Sequence, residues 1–229
     1  MPPPNPVPDW PQISTVLWDM DGTLLDLRFD NHFWQEHLPQ RYAAHLDQPL
    51  PAVRERLSQQ FRAAEGTLSW YCVDHWSGHL GVDIPALKIE VAQMIAWRPH
   101  AQTLLRGLRA AGKRLVLVTN AHRKTMEIKF ARTGLAQEFD QIVSAHDLGY
   151  PKEDANFWPR LAQHMHLEPQ HSLLIDDSLP VLRAARAYGI AHIRAILRPD
   201  SGLPAKDCGD FVAIDSFLDL LPLDPGSVG

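Results

Sequence analysis

The 229-residue chain is poor in cysteine: only Cys72 and Cys208 occur, far apart in sequence. Neither a disulfide framework nor a four-ligand zinc site at motif spacing can be built from two such residues. Two reduced thiols in a cytoplasmic protein are the expectation. Also lacking is any apolar run near the roughly 20 residues that span a bilayer. The N-terminus has neither the basic start nor the apolar stretch of a secretory signal. Nor is there an excess of basic residues: 22 Lys+Arg stand against 27 Asp+Glu, a formal net charge of −5. A protein that grips a nucleic-acid backbone normally carries a basic stripe. Membrane, secreted and nucleic-acid-binding classes are therefore set aside, although a local cationic site for a small anion is not. No internal repeat is found, and a monomer is the default expectation.

What is present is ordinary globular composition, 45% hydrophobic and 21% charged, in a chain long enough to bury a self-sufficient core. Residues 1–11 contain Pro2, Pro3, Pro4, Pro6, Pro8 and Pro11, so this stretch reads as a flexible extended arm. Residues 223–229 read as a flexible tail. Five short β-rich runs follow the arm, at 15–19, 113–119, 140–144, 171–176 and, more weakly, 191–197. They are apolar on both faces and most end in polar residues, the pattern of buried parallel strands. Helical segments alternate with them. Leu104, Leu105 and Leu108 share one face before Gly112, residues 123–133 stop at Gly134, and residues 179–188 stop at Gly189. Residues 153–166 also read as a helix that Pro159 must kink or delay. The alternation predicts an α/β fold, a doubly wound parallel sheet.

Residues 28–96 break that alternation. Four helical stretches, at about 31–46, 51–65, 68–81 and 85–97, stand there without a convincing strand. An all-helical insertion after the first strand would form a cap over the carboxyl ends of the strands, where ligands bind in parallel sheets. The expected organisation is an α/β core from 12–27 and 97–222, with 28–96 as the cap.

The strongest chemical signal is Asp19-Met20-Asp21-Gly22-Thr23 at the end of the first strand. Two carboxylates at i and i+2 can face one small ion or substrate, Gly22 allows a sharp turn, and Thr23 can offer its hydroxyl to that turn. Three later groups, at or beyond strand ends, join it: Thr119-Asn120, Tyr150-Pro151-Lys152 with its cation fixed behind a proline, and Asp176-Asp177-Ser178. In a parallel sheet all four converge on one edge, which brings together a nucleophile, donors for a phosphate and oxygen ligands for a hard metal.

This set resembles the haloacid dehalogenase superfamily, mostly phosphotransferases. Asp19 to Thr23 match its DxDGT motif, Thr119 its second motif, Lys152 its third, and Asp176 with Asp177 its acidic fourth. The likeness covers about residues 14–200. Closer in character is the purine 5′-nucleotidase branch acting on GMP and IMP. The stretches 24–34, 68–76, 119–122 and 149–154 look like that branch, whereas Pro159 and the proline-rich arm do not belong to its expected features.

The resemblance implies Asp19 as nucleophile, forming an aspartyl-phosphate, and Asp21 as the acid and then the base. Thr119, Asn120, Lys152 and Gly22 would hold the phosphate. Mg²⁺ would sit on Asp19, Asp176, the Asp21 backbone carbonyl and Asp177, the last either directly or through water. A purine nucleoside monophosphate is the implied partner. Phe29, Phe33, Trp34, Trp70, Tyr71 and Trp76 either stack on the base or pack the cap's own core, and Asn31, His32, Asp74 and His75 are candidate readers of base edges. Arg28 and His122 could touch substrate, or serve as a hinge charge and a helix-start residue. The alternatives carried forward are a phosphatase or mutase of a small phosphosugar, and a non-catalytic nucleotide-binding module.

Overall fold

The computed structural model describes residues 7–221, and the statements of structure below concern those residues. Six strands, β1 (Thr15–Trp18), β2 (Arg114–Thr119), β3 (Gln141–Ser144), β4 (Ser172–Asp176), β5 (His192–Ile196) and β6 (Ala213–Ile214), form one sheet in the order β3-β2-β1-β4-β5-β6. Every neighbouring pair is parallel. The doubly wound parallel sheet is thus the observed fold, with β6 an addition. Two residues carry no readable period, so β6 gave no signal in the sequence.

Side chains alternate across β1: Val16 and Trp18 join one core, Leu17 the other. Both faces are dry because helices cover both. Leu104, Leu105 and Leu108 of α7 (Ala101–Ala110) pack on the first face, as does Met126 of α8 (Arg123–Thr133). The short α9 (Ala145–Leu148), α10 (Phe157–Met165) and α11 (Leu179–Tyr188) supply the second, through Phe157, Trp158, Leu161, Val181 and Leu182. α10 starts late enough to put Pro159 in its first turn, where a missing N–H leaves no intrahelical bond unmade.

Between β1 and α7 the chain is helical. α1 (Arg28–His32) continues through a π-helical turn, Phe33–His37, into α2 (Leu38–Leu46). α3 (Leu50–Ala64), α4 (Leu68–Tyr71), α5 (Val73–Leu80) and α6 (Ile84–Glu90) follow. A single helix over 68–81 does not form. Cys72 is extended there (φ −88°, ψ 106°) and its Sγ accepts from the His75 N–H, capping α5.

The expected arm gives way to ordered structure before residue 12. Trp10 is 3% exposed, sits in the first core, and donates from Nε1 to the Leu220 carbonyl at 3.0 Å. An indole gains enough by burial to dock the end of a proline-rich segment. Residues 1–6 and the 223–229 tail lie outside the described residues.

Candidate active site

Strand register builds the site. Trp18 pairs with Leu117 on one side and Ile175 on the other, so the residue after β1, Asp19, emerges beside the ends of β2 and β4. β1 is also where the strand order turns back, the place where parallel sheets open a crevice. Lys152 reaches the same point from the segment between α9 and α10. Its N–H donates to Asn120 Oδ1 (2.8 Å) and its carbonyl accepts from Trp158 Nε1 (2.9 Å). Its Nζ donates to Asp19 Oδ1 (2.6 Å), Asp176 Oδ2 (2.7 Å) and the Val118 carbonyl (3.1 Å). Burial pushes the Asp19 carboxyl up to about 6; Lys152 opposes the rise and Asp176 adds to it. Burial alone would lower Lys152, but Asp176 and Asp19 overcome it and hold the ammonium strongly protonated.

Asp19, Asp176 and Asp177 each offer a carboxylate oxygen, and the three lie within 4.8 Å of one another. Burial raises Asp176 and Asp177 as well. Three hard oxygen donors at this spacing fit a small divalent cation better than softer metals. Asp176 Oδ1 also accepts from the Ser178 N–H (2.8 Å), and Lys206 Nζ lies 3.1 Å from Asp177 Oδ2. Gly22 makes room for the trio. Its φ is 81°, and a Cβ there would come within 2.9 Å of Asp177 Cγ and of Pro199 Cβ. Arg98 Nη1 donates to the Gly22 carbonyl at 3.2 Å and pins the loop.

Thr23 departs from expectation. It is fully buried, and its hydroxyl finds no partner among the described residues. The turn is closed by backbone instead: Leu24 and Leu25 donate to the Met20 carbonyl and Gly22 to that of Leu25. Thr119 Oγ1 accepts from the Ala121 N–H (3.1 Å), which leaves its own proton to donate. Asn120 is largely committed to bracing, with Oδ1 on Lys152 and Nδ2 on Glu153 Oε2 at 2.9 Å. Its amide also hydrogen-bonds the Tyr71 side chain. Glu153 Oε1 in turn accepts from Tyr71 of α4 (2.8 Å), tying the helical insertion to the sheet.

Asp21 stands apart from the trio. Its Oδ1 accepts from Lys129 Nζ of α8 at 2.5 Å, and that Nζ also donates to Asp30 Oδ2 at 2.6 Å. Asp30 Oδ1 accepts from Lys88 Nζ at 2.8 Å. Burial pushes Asp21 up to about 6, with Lys129 opposing and Asp30 and Asp19 adding. For Asp30 burial is outweighed by the two ammonium groups, which together hold it well below the usual carboxylate range. None of Lys88, Lys129, Asp30 or Lys206 was singled out from the sequence. The available signal was a lysine on a buried stripe: Lys129 follows Thr125 and Met126 on α8, and Lys88 follows Ile84 on α6.

Above these groups lies a cavity of about 770 Å³, reached by Asp19, Asp21, Thr119 and Lys152 from below. Half-buried Trp34, Trp70 and Tyr71 line its upper part together with Phe61, a residue not anticipated. Phe29 and Phe33 are core instead (1% and 0% exposed). Trp76 does both, 2% exposed with its ring edge-on to Phe61 at 4.9 Å. Of the suggested base readers Asn31 lines the cavity, whereas His32, Asp74 and His75 do not. Asp74 is turned outward to Lys124 (2.7 Å), and His75 stacks on His79 at 5.9 Å. Arg28 is exposed at the start of α1 and the His122 side chain caps α8 by accepting from the Lys124 N–H; neither lines the cavity.

The fold and the four converging groups define a hydrolase class. Residues 13–189 match the haloacid dehalogenase-like hydrolase family, and the chain belongs to it. The chain is 38% identical to the GMP/IMP nucleotidase YrfG of Escherichia coli (strain K12) over 213 residues, 93% of this chain and 96% of the relative. It is 27% identical to a phosphoglycolate phosphatase of Chromobacterium violaceum, covering 79% and 84% of the two chains. A solved HAD phosphatase from Thermococcus onnurineus superposes with a TM-score of 0.73 at 20% identity, over 88% of this chain and 93% of that one.

Proposed function

We propose that the chain is a Mg²⁺-dependent phosphomonoesterase that cleaves purine 5′-nucleotides, IMP and GMP, through an aspartyl-phosphate. The observation carrying this reading is the meeting of Asp19, Lys152 and the carboxylate trio at the floor of an aromatic-lined cavity. The identity to the E. coli nucleotidase supports the substrate. A cavity of about 770 Å³ with Trp34, Phe61 and Trp70 in its wall has room and ring faces for a purine, and the phosphosugar alternative has no comparable observation behind it. The two unbridged cysteines suit a cytoplasmic setting.

In this reading an Asp19 oxygen attacks phosphorus while the ester P–O bond breaks, and Asp21 delivers a proton to the leaving alkoxide. Water then attacks the aspartyl-phosphate, Asp21 takes its proton, and the Asp19 carboxylate leaves with inorganic phosphate released. Lys152 balances charge beside the phosphoryl group, the Thr119 proton holds one of its oxygens, and Asn120 braces Lys152 beside them. Asp19, Asp176 and Asp177, with the Asp21 backbone carbonyl, would hold Mg²⁺, whose charge offsets the repulsion between carboxylates and phosphate.

The test is phosphate release from a panel of nucleoside monophosphates and sugar phosphates, with Mg²⁺ or chelator, alongside Asp19→Asn. Chelator-sensitive turnover of IMP and GMP well above AMP and sugar phosphates, absent in the variant, is the expected result. Preference for a phosphosugar would discard the purine reading, and activity in Asp19→Asn would discard the nucleophile.

A further inference from the structure

Asp21 is the end of a row of four buried charges. The row runs Asp21, Lys129, Asp30, Lys88, with contacts of 2.5, 2.6 and 2.8 Å. Both lysines are 1% exposed. Lys88 is ringed by aromatics, its Nζ 4.4 Å from the Phe33 centroid, 5.0 Å from Phe29 and 5.2 Å from Trp34. Two ammonium groups have been taken out of water onto buried helix faces where apolar side chains would otherwise stand, and each is kept there by carboxylate partners. Packing therefore does not account for them. The formal charges cancel within the row, so it needs no ion.

The four members come from four elements. Asp21 lies in the loop after β1, Asp30 on α1, Lys88 on α6 and Lys129 on α8. Asp30 and Lys88 thus stand on the first and last helices of the insertion, and Lys129 stands on a helix of the sheet domain. At the Asp21 end only Oδ1 is used. Oδ2 has no partner among the described residues, and Asp21 lines the cavity. An aspartate on a loop has three χ1 wells open to it, whereas one oxygen bonded to a sealed ammonium selects one.

We infer that Lys129 is the positioning residue for Asp21, fixing the carboxylate so that Oδ2 faces the leaving group, and that Asp30 and Lys88 hold Lys129 in place from the insertion. The inference rests on the reading of Asp21 as the acid. It makes the seating of the helical insertion part of the acid's placement, because Lys129 loses its second carboxylate if α1 moves away.

The experiment compares turnover of IMP with that of p-nitrophenyl phosphate, whose leaving group needs no proton, in full-length Lys129→Met, Asp30→Asn and Asp21→Asn. A misplaced acid costs tens to a hundredfold, so Lys129→Met is expected to lower kcat for IMP at least about tenfold with KM little changed. Loss on p-nitrophenyl phosphate should be small. Asp30→Asn, which never touches Asp21, should show the same split in weaker form. Adding Lys129→Met to Asp21→Asn should cost little more, since the acid is already gone. Equal losses on the two esters overturn the inference, as does a full multiplicative loss in the double variant. If Lys129→Met fails to fold, Asp30→Asn decides alone, and an unchanged ratio of the two esters overturns the inference. Should Asp21→Asn itself show no split, the acid reading falls and this inference with it. A split in Asp21→Asn without one at Lys129 and Asp30 removes only the inference.

Discussion

The two buried charge clusters differ in their arithmetic. Around Lys152 three carboxylates, Asp19, Asp176 and Asp177, face two ammonium groups, and one of those, Lys206, is a third exposed. Around Lys129 two carboxylates meet two fully buried ammonium groups. The first cluster is left anionic and the second is neutral. An uncompensated charge excess deep in a fold is tolerated where something is to bind, while a balanced row can complete itself with side chains alone. The contrast separates a carboxylate cluster left with a net charge from a neutral row that holds Asp21 in place.

The largest expected effect breaks the anionic cluster at its centre. Asp19→Asn should lose roughly a thousandfold or more in turnover yet melt no lower than the parent in the absence of metal, because a crowded carboxylate has been removed. A clearly lower melting temperature would contradict the charge-excess view. Next come the two central lysines. Lys152→Met and Lys129→Met each leave buried carboxylates uncompensated, at a cost of about 3–5 kcal/mol. Mg²⁺ should narrow the gap between Lys152→Met and the parent and leave that between Lys129→Met and the parent unchanged, as read from thermal melts with metal and with chelator. Equal narrowing in both would erase the distinction between the clusters.

A smaller effect is pH dependence, with opposite signs at Asp19 and Asp30; Asp21, raised like Asp19, follows Asp19. Asp19 rises from 3.8 to about 6, so between these values the folded chain holds a proton that the unfolded chain has released. Stability is lost from this group as pH rises through that window. A cation competes with that proton, and the gain in melting temperature from Mg²⁺ should therefore be larger at neutral pH than at pH 5. Asp30 is held low instead, so its contribution is present above the ordinary carboxylate range and disappears only in strong acid. A Mg²⁺ gain independent of pH would count against metal on the trio. The smallest effect is expected at the exposed Asp74–Lys124 pair across the insertion, where Lys124→Ala should leave the melting temperature unresolved from the parent.

Most of the anionic cluster was legible because Asp19, Thr119 and Asp176 end or follow apolar runs, and a parallel sheet delivers such ends to one edge whatever lies between them. Lys152 comes eight residues after β3, beyond α9, and was legible as a lysine behind a proline, while Lys206 carried no such signal. The neutral row was not legible. Asp30, Lys88 and Lys129 stand among other charges in their helices, and a charge in a helix reads as a solvated face until the partner helix is known. Aromatics show the same division. A density of rings in 28–96 announced an apolar region, but Trp34 and Trp70 could not be told from Phe33 without knowing which side of each helix faces the cavity.

The alternation of buried strands and helices, the helical run after the first strand and the four groups that meet at the sheet edge follow from local periodicity and chain order. That Trp10 belongs to the core, and that Gly22 must lack a side chain because Asp177 packs on it, emerges only when the elements come together. So does the hold on Asp21 by a lysine 108 residues away. Such contacts depend on which surfaces helices turn toward one another, and no local pattern of residues encodes that choice.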